Sequence, residues 1–350
     1  MYQYTHGGDI YAYENRKVLD FSANINPFGL PHGVKKAIVE AVDSCDIYPD
    51  PLCQKLRAAI AKAEDAATEH IFCGAGAADI LFRLTLALKP KKALLAVPSF
   101  SEYQEALKSI NCEIEYYYML ESENFSLTER FLQRLNDDVD IIFLCNPNNP
   151  TGHLIDSKLL QQIMQKCQRH HITLVIDECF IDFLPDAQER TVKHAISQYQ
   201  NLIVLKAYTK LLAMAGVRLG YCFCGNHHIL ELLYKSGQPW NVSSLAQQAG
   251  IAASAEKDYF SNSLPIIGTE RQRLQQALLD VGCQVFDSKA NFIFFKNSDA
   301  FDLKEALLKD NILIRSCENY EGLSQGYYRI SIKTPSENDV LIDCLKKQFK

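Results

Sequence analysis

The stretch Ile141-Ile142-Phe143-Leu144-Cys145-Asn146-Pro147-Asn148-Asn149-Pro150-Thr151-Gly152 runs an apolar segment of strand length into a turn set by two prolines and a glycine. A buried strand that stops in such a turn predicts an open α/β sheet, and ligands of those sheets sit at the carboxyl ends of the strands. Asn149 then either points a fixed amide into that crevice or serves a plain turn, since Asn-Pro steps are common in turns.

Working outward, residues 92–97, 172–177, 202–207 and 219–224 read as further buried strands. Amphipathic helical patterns cover 77–88, 101–110, 156–170 and 228–236. Such alternation predicts an α/β fold with a mostly parallel sheet covered by helices. Past about residue 243 the rhythm changes. A long helical stretch reaches 280, strand-like runs follow at 291–296, 312–317 and 327–333, and helices are expected over 300–309 and 336–348. The expected organisation is therefore an N-terminal arm and part of a small domain (1–33), a large domain (34–240) and a small α+β domain (241–350), packed together.

The chain has 350 residues, with 36 Lys+Arg against 42 Asp+Glu, a net charge of −6. That balance, with no long basic run, argues against a nucleic-acid surface. The apolar runs are too short to span a membrane. Residues 1–9 hold no apolar core of an export signal, so a cytoplasmic protein is expected, and its twelve scattered cysteines read as reduced thiols. The histidine pairs (His170-His171, His227-His228) and Cys222-x-Cys224 lack a matching ligand set, so no metal site is expected.

Several residues could carry chemistry. Asp177 closes a buried strand, where a carboxylate needs a cation or good donors; Glu178 beside it reads as solvated or capping. Lys210 follows the strand at 202–207, where partial desolvation would lower its pKa and favour Schiff-base chemistry. Arg218, between glycines, has a planar fork suited to phosphate. Lys206 reads as a surface cation. Gly74-Ala75-Gly76-Ala77-Ala78-Asp79 precedes a helix, and free N–H groups at a helix start bind phosphate. As a nicotinamide fingerprint this loop is poor: the third glycine is missing, and Val97-Pro98 falls where the ribose-binding acid belongs. Phe100 and Tyr103 each offer a ring to stack on a flat ligand.

In this order the motifs resemble the fold-type I enzymes that use pyridoxal 5'-phosphate (PLP), in the class I/II aminotransferase group. The resemblance covers the whole chain and implies a seven-stranded-type sheet in the large domain. It implies that Lys210 holds PLP through a Schiff base and that Asp177 keeps the pyridine nitrogen protonated. Asn149 would hydrogen-bond the ring hydroxyl and Phe100 would stack on the ring. Gly76, Ala77, Ala78, Thr209 and Arg218 would hold the phosphate. Tyr48 resembles a tyrosine that reaches the neighbouring subunit's phosphate, which implies a homodimer. Arg329 resembles the arginine that clamps a substrate carboxylate. The chain departs from many members at Ala207 and Phe180, which remove hydroxyl groups, and at Ala75.

Within that group, His6-Gly7-Gly8-Asp9-Ile10, Asp20-Phe21-Ser22-Ala23-Asn24-Ile25-Asn26-Pro27, Asp177 to Phe183 and Ile314-Arg315-Ser316-Cys317 resemble the threonine-phosphate decarboxylases of cobalamin biosynthesis. That branch implies a phospho-amino-acid substrate bound by His6, Gly7, Asn24, Asn149, Arg315 and Arg329. The activity it implies is decarboxylation of O-phospho-L-threonine or O-phospho-L-serine. Histidinol-phosphate aminotransferases share the cofactor residues but not the opening, so transamination is the alternative. Which arginine would take the carboxylate and which the phosphate stays open.

Overall fold

The computed structural model describes residues 6–13, 16–298 and 301–349. In chain order its strands are β1 (Leu19–Asp20), β2 (Ile71–Gly74), β3 (Lys92–Val97), β4 (Glu113–Tyr118), β5 (Ile141–Cys145), β6 (Thr173–Asp177), β7 (Leu202–Ala207), β8 (Gly220–Cys224), β9 (Gln284–Phe286), β10 (Phe292–Lys296), β11 (Ile312–Leu313), β12 (Arg315–Ser316) and β13 (Tyr327–Ser331). The main sheet has seven strands in the order β2-β8-β7-β6-β5-β3-β4. Only β8 runs antiparallel to its neighbours β2 and β7; the other pairings are parallel.

The period-2 geometry of a strand divides its side chains between two helix layers. Leu94, Ile142, Leu144, Leu174, Ile176 and Val204 pack on one face with Leu159, Leu160 and Ile163 of the helix Ser157–Arg169. Leu95, Phe143, Val175, Ile203 and Leu205 pack on the other, with Ile80, Leu81 and Leu84 of Ala77–Leu88 and Leu230 and Leu233 of His227–Lys235. Burial on both faces is why these strands read as continuous apolar runs. Each fully buried Leu, Ile or Phe contributes about 1.5–3 kcal/mol.

Two strands of this sheet escaped the sequence reading. β4 is an edge strand whose sequence, Glu-Ile-Glu-Tyr-Tyr-Tyr, is half-exposed and carries no apolar run. β2, at the opposite edge, has four residues and offers too short a pattern. The helices His32–Ala41 and Gln54–Glu64 were likewise not anticipated. The expected long helix divides into Ser244–Ala253 and Lys257–Asp280. The helix expected over 300–309 runs Leu303–Lys309; position 300, like residues 1–5 of the arm, lies outside the described residues.

A second sheet, β12-β13-β10-β9, is antiparallel throughout, and β1 pairs in parallel with β11. Its core joins Phe292, Ile293 and Ile330 to Leu274 and Leu278 of Lys257–Asp280 and Leu341 and Leu345 of Pro335–Gln348. The same cluster takes in Phe21 from the N-terminal segment and Phe180, Phe183 and Leu211 from loops of the main sheet. The N-terminal segment and the second sheet are thereby packed against the carboxyl edge of the first. None of the twelve cysteines forms a disulfide, and Cys45 alone is exposed.

Candidate active site

A cleft of about 880 Å³ lies where β5, β6 and β7 end and the helix Ala77–Leu88 begins. Of the residues singled out from the sequence, His6, Gly7, Asn24, Ala77, Ala78, Phe100, Asn149, Asp177, Thr209, Lys210, Arg218, Arg315 and Arg329 line it. Gly76 stands just behind the wall, and Tyr48 is elsewhere.

Asp177, at the end of β6, is buried. Its Oδ1 accepts from the Cys179 backbone N–H at 3.0 Å and its Oδ2 from the Tyr103 hydroxyl at 2.7 Å. Tyr103, read from sequence as a possible stacking ring, has no exposed surface. It packs flat on Phe143 with centroids 5.3 Å apart and meets Phe100 edge-on at 5.6 Å. Burial, and then the Asp177 charge, push its phenol pKa well up, so it remains a donor to the carboxylate. Phe100 is the ring left on the cleft wall.

Lys210 sits in the single helical turn Tyr208–Leu211 that follows β7. Burial, reinforced by Arg329, lowers its amine pKa to about 8. Its backbone carbonyl accepts from Asn26 N–H at 3.0 Å, while Asn26 Nδ2 donates to the Leu211 carbonyl at 2.9 Å and Ser263 Oγ at 3.2 Å. The motif that carries Asn24 thus clasps the lysine's turn, and the order of residues 20–27 becomes intelligible only in three dimensions.

Two neighbours correct the sequence reading. Lys206 is buried at 1% exposure rather than on the surface, and bridges Glu64 and Asp182 at 2.8 Å each. Glu64 also accepts from Lys193 at 2.6 Å and the Tyr221 hydroxyl at 2.7 Å. Glu178 is not solvated. It is fully buried, accepts from the Val192 N–H at 2.8 Å, and burial raises its pKa to about 7.

The helix Ala77–Leu88 starts after Gly76, and no side chain caps its first N–H groups. Gly76 has φ +95°, and a Cβ placed there would lie 2.7 Å from Arg218 Nη2. Arg218, itself at φ +60°, is held against this glycine by a 3.3 Å bond to the Ala215 carbonyl. A Cβ on Gly220 would meet the Ala77 nitrogen at 2.4 Å, so β8 and the helix start touch backbone to backbone. The result is a concave cluster of N–H donors and one guanidinium.

On the opposite wall Arg315 and Arg329 are direct cross-strand partners of β12 and β13. Arg329 is buried; it donates to Asn149 Oδ1, to the Tyr320 hydroxyl at 3.3 Å and to the Ser22 carbonyl at 2.9 Å. Its Nε has no partner, nor has the buried Asn24 Oδ1. Arg315 lies over the Tyr320 ring at 5.3 Å and donates to Asn319 at 2.6 Å. His6 Nε2 lies 2.8 Å from Glu102 Oε1, and Gly7 passes so close to Ser22 that a Cβ would fall 2.2 Å from its carbonyl oxygen. Ser22 is the site residue that sequence reasoning missed: it works through its backbone carbonyl, which its place in the motif of residues 20–27 does not reveal. Sequence reasoning singles out Tyr103, but for stacking, whereas it acts on Asp177 from behind the cleft wall.

Tyr48 is 77% exposed and stacks on Trp240 with centroids 4.6 Å apart. Among the described residues no cluster of His, Cys, Asp or Glu is placed to hold a metal, and no helix is long and apolar enough to cross a membrane.

The donor set fits PLP. The uncapped helix start and Arg218 suit a phosphate, the buried Asp177 carboxylate a protonated pyridine, and the low-pKa Lys210 amine an aldehyde. A mostly parallel seven-stranded sheet with these groups along its carboxyl edge defines a PLP-dependent enzyme. The chain belongs to the aminotransferase class I and II family, which matches residues 16–345. It is 34% identical to the threonine-phosphate decarboxylase of Salmonella typhimurium, over 99% of this chain and 97% of that protein. Among solved structures, the histidinol-phosphate aminotransferase of Clostridium acetobutylicum superposes with a TM-score of 0.88 at 31% identity, covering 95% of this chain and 99% of that one. The histidinol-phosphate aminotransferase of Sinorhizobium meliloti, solved with PLP, shares the fold at a TM-score of 0.87 and 19% identity, over 99% and 95% of the two chains.

Proposed function

We propose that this enzyme decarboxylates O-phospho-L-threonine, or O-phospho-L-serine, to an amino-alcohol phosphate of the kind used in the cobalamin nucleotide loop. The observation that carries the reading is the pairing of Arg315 with Arg329. Like charges directly opposite on neighbouring strands are unfavourable, and neither guanidinium has a carboxylate partner among the described residues. A substrate with two anionic groups, a carboxylate and a phosphate, turns that cost into recognition. The 34% identity to a threonine-phosphate decarboxylase along the full chain supports the same substrate.

The residues take these roles. Lys210 would hold PLP through its amine, and Asp177 would keep the ring nitrogen protonated. Asn149 would hydrogen-bond the ring hydroxyl, and Phe100 would cover the ring face. Gly76, Ala77, Ala78, Thr209 and Arg218 would hold the phosphate, with Tyr48 reaching it from a second subunit. When bound, PLP supplies a sink for the electron pair left on Cα. Arg315 and Arg329 would grip the two anions; His6, Gly7, Asn24 and Asn149 would fix the rest of the substrate and so set which Cα bond is presented for cleavage. Once the carboxylate has left as carbon dioxide, Lys210 would return a proton to Cα. Because Ala207 and Phe180 bring no hydroxyl to the cleft, PLP affinity rests on Arg218 and the helix start. The serine and threonine substrates differ by one methyl, worth about 1–3 kcal/mol.

Histidinol-phosphate transamination is the second reading, favoured by the 31% identity to the Clostridium acetobutylicum enzyme. A side-by-side product assay separates the two. Carbon dioxide from phosphothreonine or phosphoserine supports decarboxylation. Conversion of histidinol phosphate to its ketone with 2-oxoglutarate taking the amino group to give glutamate, and no carbon dioxide from either phospho-amino acid, sinks it.

The enzyme is further proposed to be a cytoplasmic homodimer. Val39, Val42, Ile47, Tyr48 and Leu52 are all exposed in one span of chain, and Trp240 packs on Tyr48. A second copy would cover this apolar surface. We also keep the division at 1–33, 34–240 and 241–350, with the last segment and the arm closing over the cofactor cleft.

A further inference from the structure

A second cavity, of about 440 Å³, adjoins the active-site cleft. The two share His6, Gly7, Ser22 and Arg315 as a common wall. On its far side the outer cavity adds Tyr13 and Lys304.

Lys304 is half-buried, and no carboxylate among the described residues lies within ion-pair distance of its Nζ. Its backbone is fixed. The Asp302 side chain caps the helix Leu303–Lys309 by accepting from the Lys304 N–H at 2.9 Å, and the Leu303 N–H donates to the Tyr328 hydroxyl at 3.1 Å. Arg315 on the shared wall donates only to the neutral Asn319 amide and rests on Tyr320, so its charge is also uncompensated. Among the described residues that line this cavity, two cations, Lys304 and Arg315, stand against one carboxylate, Asp9. Charge of one sign in a recess with low-dielectric walls raises the local concentration of the opposite charge.

We propose that this outer cavity is a capture site for the phosphate monoester of the arriving substrate. Lys304 receives the dianion on the solvent side and Arg315 faces it from the wall that leads to Lys210. Lys304 is thus a specificity-determining residue for phosphorylated amino acids. This deepens the proposed function and rests on its phosphorylated substrate, while the anion site itself can be read without turnover.

The test compares PLP-loaded wild type, Lys304→Gln and Lys304→Arg. Inorganic phosphate is titrated calorimetrically into each, and steady-state kinetics with phosphothreonine are followed against ionic strength. One charged contact corresponds to roughly a tenfold change in affinity. Lys304→Gln is expected to weaken phosphate binding about tenfold, to lower kcat/KM to a similar degree through KM, and to flatten the fall of kcat/KM with salt. Lys304→Arg should retain most of each. Cofactor absorbance unchanged in both variants shows that the fold is intact. Phosphate affinity and salt dependence equal to wild type in Lys304→Gln overturn the capture site. Weakened phosphate binding in a protein that releases no carbon dioxide from phosphothreonine upholds the anion site and overturns the substrate reading instead.

Discussion

The Tyr103 hydroxyl donates a 2.7 Å hydrogen bond to Asp177 Oδ2 from a position with no exposed surface, while the Cys179 N–H holds Oδ1 at 3.0 Å. The carboxylate at the floor of the cleft is therefore pinned on both oxygens before any ligand arrives. A hydrogen bond to an ionised group is worth about 1.5–3 kcal/mol. Tyr103→Phe keeps the packing on Phe143 and deletes only that donor. The expected result is a loss of about 10- to 100-fold in kcat, with a shifted pH titration of the cofactor's visible band. An unchanged band and unchanged kcat would show that the bond serves packing alone.

Lys210 reacts with an aldehyde only as the neutral amine. With a pKa of about 8, about a tenth of it is neutral at pH 7. The rate at which apo protein captures PLP, followed by absorbance, should therefore climb with pH and level off above about 8. A rate still rising steeply at pH 10 would mean a solvated, ordinary lysine.

The buried bridge from Lys206 to Glu64 and Asp182 anchors the end of β7, four residues before Lys210. Lys206→Met leaves Asp182 without its cation and Glu64 with Lys193 alone, a change that costs about 3 kcal/mol. Urea unfolding should show a lowered midpoint of that order. At the exposed pair Lys235–Glu231 the corresponding Lys235→Met variant should unfold with the wild type.

Gly76 combines φ +95° with a Cβ position 2.7 Å from Arg218 Nη2. Gly76→Ala forces a strained backbone, at about 1–3 kcal/mol, or moves Arg218 off the cradle. PLP affinity, measured by dialysis and reloading, should weaken about tenfold, and the unfolding midpoint of the apo protein should fall by the amount of the backbone strain. Affinity equal to wild type would remove Gly76 and Arg218 from the phosphate cradle.

Much of the molecule is legible in the chain because the features concerned are local. The strands β3, β5, β6, β7 and β8 announce themselves as apolar runs since both their faces are buried. The turn from Asn146 to Gly152, the glycines before Ala77 and the position of Lys210 after β7 each depend on a few neighbouring residues. Edge strand β4 escaped because half its surface meets water, and β2 because four residues make no period.

Other relationships join distant segments and have no signature in any one of them. The chain alone determined the sheet, the loop that starts at Gly74 and the candidate lysine, because backbone preference and strand burial act over short spans. Only the tertiary structure decided that Lys206 is buried between two carboxylates, that Tyr103 serves Asp177 instead of facing a ligand, and that Ser22 holds Arg329 through its carbonyl. It also set Arg315 directly opposite Arg329 across β12 and β13. The physical reason is that burial and charge pairing are set by what a folded neighbour brings. A lysine's neighbours in sequence do not reveal whether a carboxylate more than a hundred residues away will meet it.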